Sequence, residues 1–252
     1  GNMYCRRAIN PLPTRWPACL GTPYPNKAGM EKKPIIIIGV LCLISLGLGY
    51  WSGLPKEGSR GGSIKGTAIG EFVHIFNGAD LKGWSADIPG IWSAQSGRLV
   101  GKTLGVFKGA PYLAYEQETG DFELKVKAKI NGSGNSGIFF RTPTGATVAT
   151  PQNSYEVQII GRERLNQVND RFPTGSLYGF EPSMDLVEDD QWFDLHIVAV
   201  KNRIRVSING EEVVDFTDPN PDYPRRGYIK LQTMQDTQVQ FMDFQLKQLA
   251  GE

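Results

Sequence analysis

Glu156 and Gln158 are the first candidates for chemistry in this chain. They lie two residues apart in a predicted strand at 155–160, so both side chains point to the same face of a sheet. One interpretation places them on a concave binding face, where they form hydrogen bonds with sugar hydroxyl groups. The other places them on the solvated outer face of an antiparallel strand. The spacing supports both interpretations equally.

Glu156 is also the candidate catalytic residue if the protein is an enzyme. Hydrolysis of an ordinary glycoside uses two carboxyl groups about 5–9.5 Å apart. The positions that share a face with Glu156 hold Gln158 and Ile160, neither of which is an acid. The spacing therefore argues against a glucanase-type glycosidase.

Arg141 and Tyr178 are further candidates for holding a ligand, and Asn135 has a structural interpretation. Arg141 could hold a carboxylate or a sugar, or form a structural ion pair at the rim of a sheet. Tyr178 could stack on a sugar ring or pack against its neighbours. Asn135 begins a short segment, 135–137, in which Asn and Gly favour a bulge or turn.

The sequence predicts no metal ion and no cofactor. Its 2 histidines, His74 and His196, lie in strand-like surroundings where a surface position is expected, and no cluster of cysteines accompanies them. The acidic stretches 188–190 and 218–222 could bind Ca²⁺ through oxygen atoms, but loops of this composition are usually solvated.

The elements that must position these residues are almost all β-strands. Apolar and polar residues alternate over 122–130, 193–199 and 204–208, and Asn209-Gly210 supplies a two-residue hairpin turn. Further strands are predicted at 72–76, 97–100, 155–160, 212–216, 228–234 and 238–249. Many short antiparallel strands predict an all-β jelly-roll sandwich over residues 71–249. The segment 161–171 is a long loop of mixed charge, suited to docking or to acting as a lid.

An apolar segment precedes this domain. Its 17 residues from 35 to 51 carry no charge and would span about 25 Å as a helix, close to the thickness of a bilayer core. We therefore predict a single transmembrane helix at 34–54, joined to the domain by a flexible linker at 55–70. The 33 residues before it exceed the charged region of a signal peptide, so we expect an uncleaved anchor.

Basic residues predict how the chain crosses the membrane. Six Lys and Arg residues precede the span and three follow within a comparable distance. This places the N-terminus in the cytoplasm and the domain in the periplasm, at a bacterial inner membrane. Residues 1–33 are rich in Pro and aromatic residues and lack a helical or strand period, so they predict an extended cytoplasmic arm. Other membrane subunits would bind through residues 1–60.

Composition limits the remaining partners. The net charge is +1 at pH 7, so nothing indicates binding to nucleic acid. Cys5, Cys19 and Cys42 all precede residue 71, so the predicted domain has no disulfide and no thiol chemistry.

An ordered series of motifs links the domain to a known family. The motifs lie at 76–84, 97–100, 121–124, 134–141, 155–159, 174–179 and 227–232. In this order they resemble the 3-keto-disaccharide hydrolase-like family over residues 71–249. The resemblance implies a concanavalin A-like jelly roll and, in some members, cleavage of 3-keto-glycosides on a concave sheet face. It implies a ligand-binding role for the retained residues Asn135, Arg141, Glu156, Gln158, Tyr178 and Gln232.

Three places depart from the family's pattern. Gly161 stands where members carry an Asp, residues 233–235 replace an Asp-His-Gly turn, and Met242-Asp243 replace an Arg-Asn pair. Met, Thr and Gly cannot act as an acid, a base or a metal ligand.

Two functional hypotheses follow. The anchor, the arm and the departures favour a membrane-anchored, non-catalytic accessory or structural subunit of a membrane protein complex. A bioenergetic complex, such as a photosynthetic reaction centre, is one candidate for that complex. The alternative is a membrane-tethered 3-keto-glycoside hydrolase or a carbohydrate-binding protein, and the retained polar residues support it.

Overall fold

The computed structural model describes residues 70–105, 109–143 and 154–250. The predicted arm at 1–33, the predicted transmembrane helix at 34–54 and the linker up to residue 69 lie outside these ranges. Within them, no helix has the length and apolar character that a membrane crossing requires.

The regular secondary structure of the described residues consists of thirteen strands and one short helix. In chain order they are β1 (Val73–His74), β2 (Trp84–Ala86), β3 (Trp92–Gln95), β4 (Arg98–Thr103), β5 (Tyr112–Thr119), β6 (Phe122–Ile130), β7 (Asn135–Thr142), β8 (Tyr155–Ile160), α1 (Arg162–Val168), β9 (Phe193–Val200), β10 (Arg203–Ile208), β11 (Glu211–Thr217), β12 (Gly227–Thr233) and β13 (Thr237–Gln248). The predicted alternation is confirmed in β6, where Leu124 and Val126 are buried and Lys125 is exposed.

The strands form two antiparallel sheets, which confirms the predicted all-β sandwich and fits a jelly roll. The eight-stranded sheet has the order β11-β10-β9-β6-β13-β4-β3, and β1 also pairs with β13. The five-stranded sheet has the order β2-β5-β12-β7-β8. One continuous apolar core includes residues of both sheets, among them Phe140, Leu231 and Phe241. The Asn209-Gly210 turn between β10 and β11 has φ values of 51° and 85°, so the predicted hairpin is confirmed.

The strand pairing shifts register at three places, one of them in the β10–β11 pair. The other two matter for the core and for the side chain of Arg141. One lies in β13 between Met242 and Gln245, where Asp243 has a φ of 55°. Because of this bulge, Phe241 and Phe244 both reach the core although they are three residues apart. The Met242-Asp243 pair that departs from the family's pattern therefore shapes this strand. The other lies in β7, where Phe140 and Arg141 together face the single residue of β12 between Tyr228 and Lys230.

The predicted loop at 161–171 contains the helix α1. Asp189 accepts hydrogen bonds from the first backbone N–H groups of this helix, at 2.6 Å from Arg162 and 3.4 Å from Glu163. A carboxylate is favourable at this end because the helix dipole is positive there. Within the acidic stretch 188–190, Asp189 therefore stabilises the start of the helix.

Candidate functional site

The face of the five-stranded sheet that points away from the core carries two rows of paired residues. We call this surface the outer face. The first row, the glutamine row, consists of Tyr112, Gln232, Gly137 and Gln158 on adjacent strands. The second, the lysine–glutamate row, consists of Ala114, Lys230, Phe139 and Glu156. Between them, Leu113, Leu231, Ile138 and Val157 point into the core. Strand alternation therefore sorts the polar residues onto one surface.

Glu156 is buried on this face. Its side chain lies over Gly137, because a Cβ atom at that glycine would come within 2.3 Å of the Glu156 Oε1 atom. The residue is 7% exposed, and Gln158 is 2% exposed. The solvated interpretation of these two residues is therefore wrong, since both are shielded from water.

Burial changes the protonation of the Glu156 carboxyl. It raises the pKa of Glu156 to about 8, and the negative charge of Asp170 adds to the increase. Tyr178 lies beside Glu156, since its backbone N–H donates to the Glu156 carbonyl at 2.9 Å. Burial, Asp170 and Glu156 also raise the pKa of Tyr178. A carboxyl group with a pKa near neutrality can accept and return a proton at physiological pH.

The glutamine row offers hydrogen-bonding groups next to this carboxyl. Gln232 donates through Nε2 to the Tyr112 hydroxyl at 3.2 Å. The Oε1 atom of Gln158 is buried and accepts no hydrogen bond from any residue in the described ranges. A buried acceptor without a partner is costly, so it marks a position where a ligand hydroxyl would be favourable.

Lys230 supplies a cation on the same face. It is 6% exposed, and its ammonium group lies 6.0 Å from the centroid of the Tyr112 ring. Burial lowers the pKa of Lys230, while the negative charge of Asp87 opposes the decrease. Lys230 was not predicted as a site residue, although it lies two residues before Gln232 in one predicted strand and so shares its face. Tyr112 was not predicted either, because its strand register cannot be read from the sequence.

The structure brings five of the six predicted ligand residues to this region. Glu156, Gln158 and Gln232 belong to the rows, and Tyr178 packs beside them with its ring 5.0 Å from that of Phe172. Asn135 pairs with Ile160, one step beyond the glutamine row on the same face.

Arg141 is the exception, and its predicted ligand-binding role is corrected. The bulge opposite β12 gives Arg141 a φ of 55° and turns its side chain inward, where it is fully buried. Its guanidinium donates to Asp121 Oδ1 at 3.0 Å and to the Lys201 carbonyl at 2.6 Å. The alternative prediction, a structural ion pair at the rim, is the one the structure supports.

No metal site is formed within residues 70–105, 109–143 and 154–250, because nowhere do three His, Cys, Asp or Glu side chains come together in a suitable arrangement. His196 lies on the other sheet, with Nε2 at 2.8 Å from Glu123 Oε1.

Comparison with known families identifies the domain. The profile of the 3-keto-alpha-glucoside-1,2-lyase-like domain matches residues 71–247. The chain belongs to this family. No curated protein sequence matches it significantly.

Solved structures similar to this lyase-like domain share its fold. Two crystal structures of candidate glycosyl hydrolases from Parabacteroides distasonis have TM-scores of 0.59. They are 21% and 22% identical to this chain, each match covers 71% of it, and they are covered over 100% and 94% of their own lengths. A Bacillus subtilis protein of unknown function with a galectin-like fold has a TM-score of 0.54 at 14% identity, with 74% of this chain and 99% of that one covered.

Two of the positions that depart from the lyase-like family's pattern, Gly161 and Thr233, are tightly packed. A Cβ atom at Gly161 would lie 2.2 Å from the Gly132 carbonyl oxygen and 2.3 Å from that of Asn131, so no side chain fits there. Thr233 is fully buried, and its hydroxyl lies 3.1 Å from that of Thr103. Both positions adjoin Asn135, whereas Glu156 and Lys230 lie further along the outer face.

Proposed function

We propose that the outer face binds a 3-keto-glycoside and cleaves it by elimination across C1 and C2. The observation that carries this proposal is the lysine–glutamate row. It places a carboxyl group and an ammonium group, both buried, on two strands that flank β7, with Cα atoms about 10 Å apart. The family's own description names this reaction class.

The chemistry needs a base and an oxyanion stabiliser. A ketone at C3 makes the hydrogen on C2 acidic. In the proposed reaction Glu156 takes this proton, and the C2–H electrons form an enolate with its charge on the C3 oxygen. The enolate then collapses, a C1=C2 double bond forms, and the C1–O bond breaks. The departing oxygen takes a proton from solvent.

Lys230 would donate a hydrogen bond to the C3 oxygen as negative charge develops there. Stabilisation of such charge by a fixed, buried donor is among the largest contributions to enzymatic rate. Gln158 would accept a hydrogen bond from a sugar hydroxyl through its unpaired Oε1 atom. Gln232 and Tyr112, already hydrogen-bonded to each other, would hold the sugar at the other side of Gly137.

Turnover of a 3-keto-α-glucoside by the full-length chain in mild detergent tests the proposal. We expect Glu156→Gln to lower kcat by about 10²–10⁴-fold, the usual contribution of a general base. The matched control is Glu116→Gln on the same sheet, since Glu116 is exposed and is hydrogen-bonded to Ser85 at 2.7 Å. Equal activity of wild type and Glu156→Gln would refute the assignment of Glu156.

A second candidate function is carbohydrate binding without turnover. The replacement of the family's Asp-His-Gly turn by residues 233–235 favours it, because this end of the face lacks an acid–base pair. Calorimetric binding of a 3-keto-glucoside by a wild-type protein that releases no product would select this function. Gln158→Ala should then weaken binding more than Glu116→Gln does.

We propose further that the domain is tethered to a membrane by a helix at 34–54, with the domain in the periplasm. The apolar composition of that segment and the excess of basic residues before it support this placement. Carbonate washing of membranes tests it, since a spanning chain stays in the pellet. The accessory-subunit hypothesis depends on residues 1–60, and co-purification of other membrane proteins in fixed ratio would favour it.

A further inference from the structure

A recess lies at one end of the sandwich, away from the two rows. It is a cavity of about 570 Å³ that we call the end cavity. Its walls come from the β5–β6 turn, the β9–β10 turn, the connection from β11 to β12, and the end of β13. The charged residues that line it are Asp121, Lys201, Asp218, Arg225 and Arg226.

The acids of the end cavity already have donors. Asp121 accepts from Arg141 Nη2 at 3.0 Å and from the Lys201 backbone N–H at 2.9 Å. Asp218 is 3% exposed and accepts from the Tyr155 hydroxyl at 2.7 Å. These contacts hold both carboxylates in the wall. The ion pair of Asp121 is formed with Arg141, which does not line the end cavity.

Arg225 differs from these acids because part of its guanidinium has no partner. Its Nη2 atom donates to the Asn220 carbonyl at 3.2 Å. Its Nη1 atom is buried and makes no hydrogen bond to any part of the chain that the structure describes. A buried, charged donor that lacks an acceptor is unfavourable, so an occupant with acceptor oxygens would be stabilised here.

A second guanidinium group, that of Arg141, lies near the end cavity but does not line it. Arg141 is fully buried, and its Nε atom likewise has no hydrogen-bond partner in the described ranges. Burial lowers the pKa of Arg141, and the like charge of Arg225 lowers it further against the opposing effect of Asp121. Two guanidinium groups are therefore within electrostatic range of each other. An anion beside Arg225 would offset their repulsion.

Arg226 provides an internal contrast. It is the next residue in the chain and also lines the end cavity, but it is exposed and paired with Glu118, with Nη2 at 3.2 Å from Oε2. The charge of Arg226 is thus already balanced by Glu118. Arg225 differs from it because its Nη1 atom has no hydrogen-bond acceptor among the described residues.

We propose that the end cavity binds a small molecule through an oxyanion, a carboxylate or a phosphate, with Arg225 as the principal ligand. A guanidinium group is suited to this role because its planar fork matches both oxyanions. The volume lies within the usual range of about 300–1,000 Å³ for small-molecule sites. The end cavity is separate from the lysine–glutamate row, since none of its lining residues belongs to that row.

Titration calorimetry on the full-length chain tests the proposal with three probes: glucuronate, glucose 6-phosphate and glucose. We expect one or both acidic sugars to bind and glucose to bind at least about 10-fold more weakly. The two acidic probes identify which oxyanion is preferred. Equal binding of all three probes, or no binding of either acid, would overturn the proposal.

Variants assign the binding to Arg225. Arg225→Gln should weaken the acidic sugar by about 10-fold or more, while Arg226→Gln should change its Kd by less than about 3-fold. Arg225→Lys keeps the charge and should retain intermediate affinity, which guards against a folding defect in Arg225→Gln. Equal Kd values for Arg225→Gln and Arg226→Gln would contradict the assignment. Glu156→Gln should leave this Kd unchanged, so the two proposals can fail separately.

Discussion

The polar side chains on the outward-facing surfaces of the two sheets differ in their exposure and in their pairing. On the eight-stranded sheet, charged residues are largely exposed and pair with one another. Lys127 contacts Asp194 at 2.6 Å, and Arg203 Nε donates to Asp215 at 2.7 Å. On the five-stranded sheet, Glu156 and Gln158 are less than a tenth exposed, and Gln158 Oε1 has no partner among the described residues.

This difference separates a solvated surface from a candidate site. Exposed ion pairs need no further explanation, because they contribute little to stability and water satisfies them. Buried polar groups without partners cost free energy in the folded protein, and a fold retains them where a ligand or a reaction uses them. The contrast argues for function on the outer face without reference to any relative.

Among the changes that leave Glu156 in place, the largest effect on activity is expected from filling the space over Gly137. In Gly137→Ala the new Cβ atom would lie 2.3 Å from Glu156 Oε1 and 3.0 Å from its Cγ atom, so the carboxyl must move. A displacement of about 1 Å at a catalytic group can cost 10²-fold in rate, and we expect a loss of about that size in kcat/KM.

A double variant separates this effect from general damage. If Gly137→Ala acts through the carboxyl, then adding it to Glu156→Gln should cause little further loss of activity. Fully additive losses in the double variant would show that the glycine matters for another reason. Circular dichroism of each variant checks that the sandwich is intact.

Although Glu156→Gln should lower activity, we expect it to raise the thermal stability of the protein. The pKa of Glu156 rises from 4.5 in the unfolded chain to about 8 in the fold. Between these values the unfolded chain releases a proton that the folded chain keeps, so stability falls as the pH rises and is constant above about pH 8. Gln is neutral throughout, so this variant should gain roughly 5–10 °C in Tm at pH 8 relative to wild type.

The same comparison at pH 4 should show no gain, because Glu156 is then protonated in both states. A Tm difference that is equal at pH 4 and pH 8 would mean that Glu156 is not buried as an acid. On the eight-stranded sheet, Glu123→Gln provides the contrast, since Glu123 contacts His196 and Lys247 and we expect no such gain there.

The face of a residue within one strand was predictable, but the neighbours across strands were not. Alternation placed Glu156 with Gln158, and it could have placed Lys230 with Gln232. The hydrogen bond between Gln232 and Tyr112 joins residues 120 positions apart, and no local pattern specifies that pairing. The glutamine row therefore required the sheet order.

Arg141 shows a second limit. Strand alternation puts it on the same face as Gly137 and Phe139, so a ligand role was a reasonable expectation. The inversion arises because β12 has a register shift between Tyr228 and Lys230, opposite Arg141. A bulge depends on how two distant strands pair, and its effect on side-chain direction appears only when the pairing is known.

A moderate effect on the pH dependence of turnover is expected from a substitution of Asp170. The negative charge of Asp170 contributes to the raised pKa of Glu156. If Glu156 is the base, turnover should increase with pH until about pH 8 and then level off. Asp170→Asn removes a nearby negative charge, so the pKa of Glu156 should fall and the rise in kcat/KM should occur at lower pH. An unchanged pH profile in Asp170→Asn would mean that this charge does not reach the base. Asp194→Asn, on the other sheet, is the matched control and should not move the profile.

The smallest effect on stability and turnover is expected from a substitution on the eight-stranded sheet. Lys127 and Asp194 form a short ion pair, but the two side chains are 39% and 61% exposed. The Asp194 carboxylate raises the pKa of Lys127 through their hydrogen bond, yet solvent screens most of the resulting free energy. We expect Lys127→Gln to change the Tm by less than about 2 °C and to leave kcat/KM unaltered. A Tm loss as large as the gain predicted for Glu156→Gln would remove the contrast between the two surfaces, because exposed pairs would then matter as much to the fold as the buried carboxyl does.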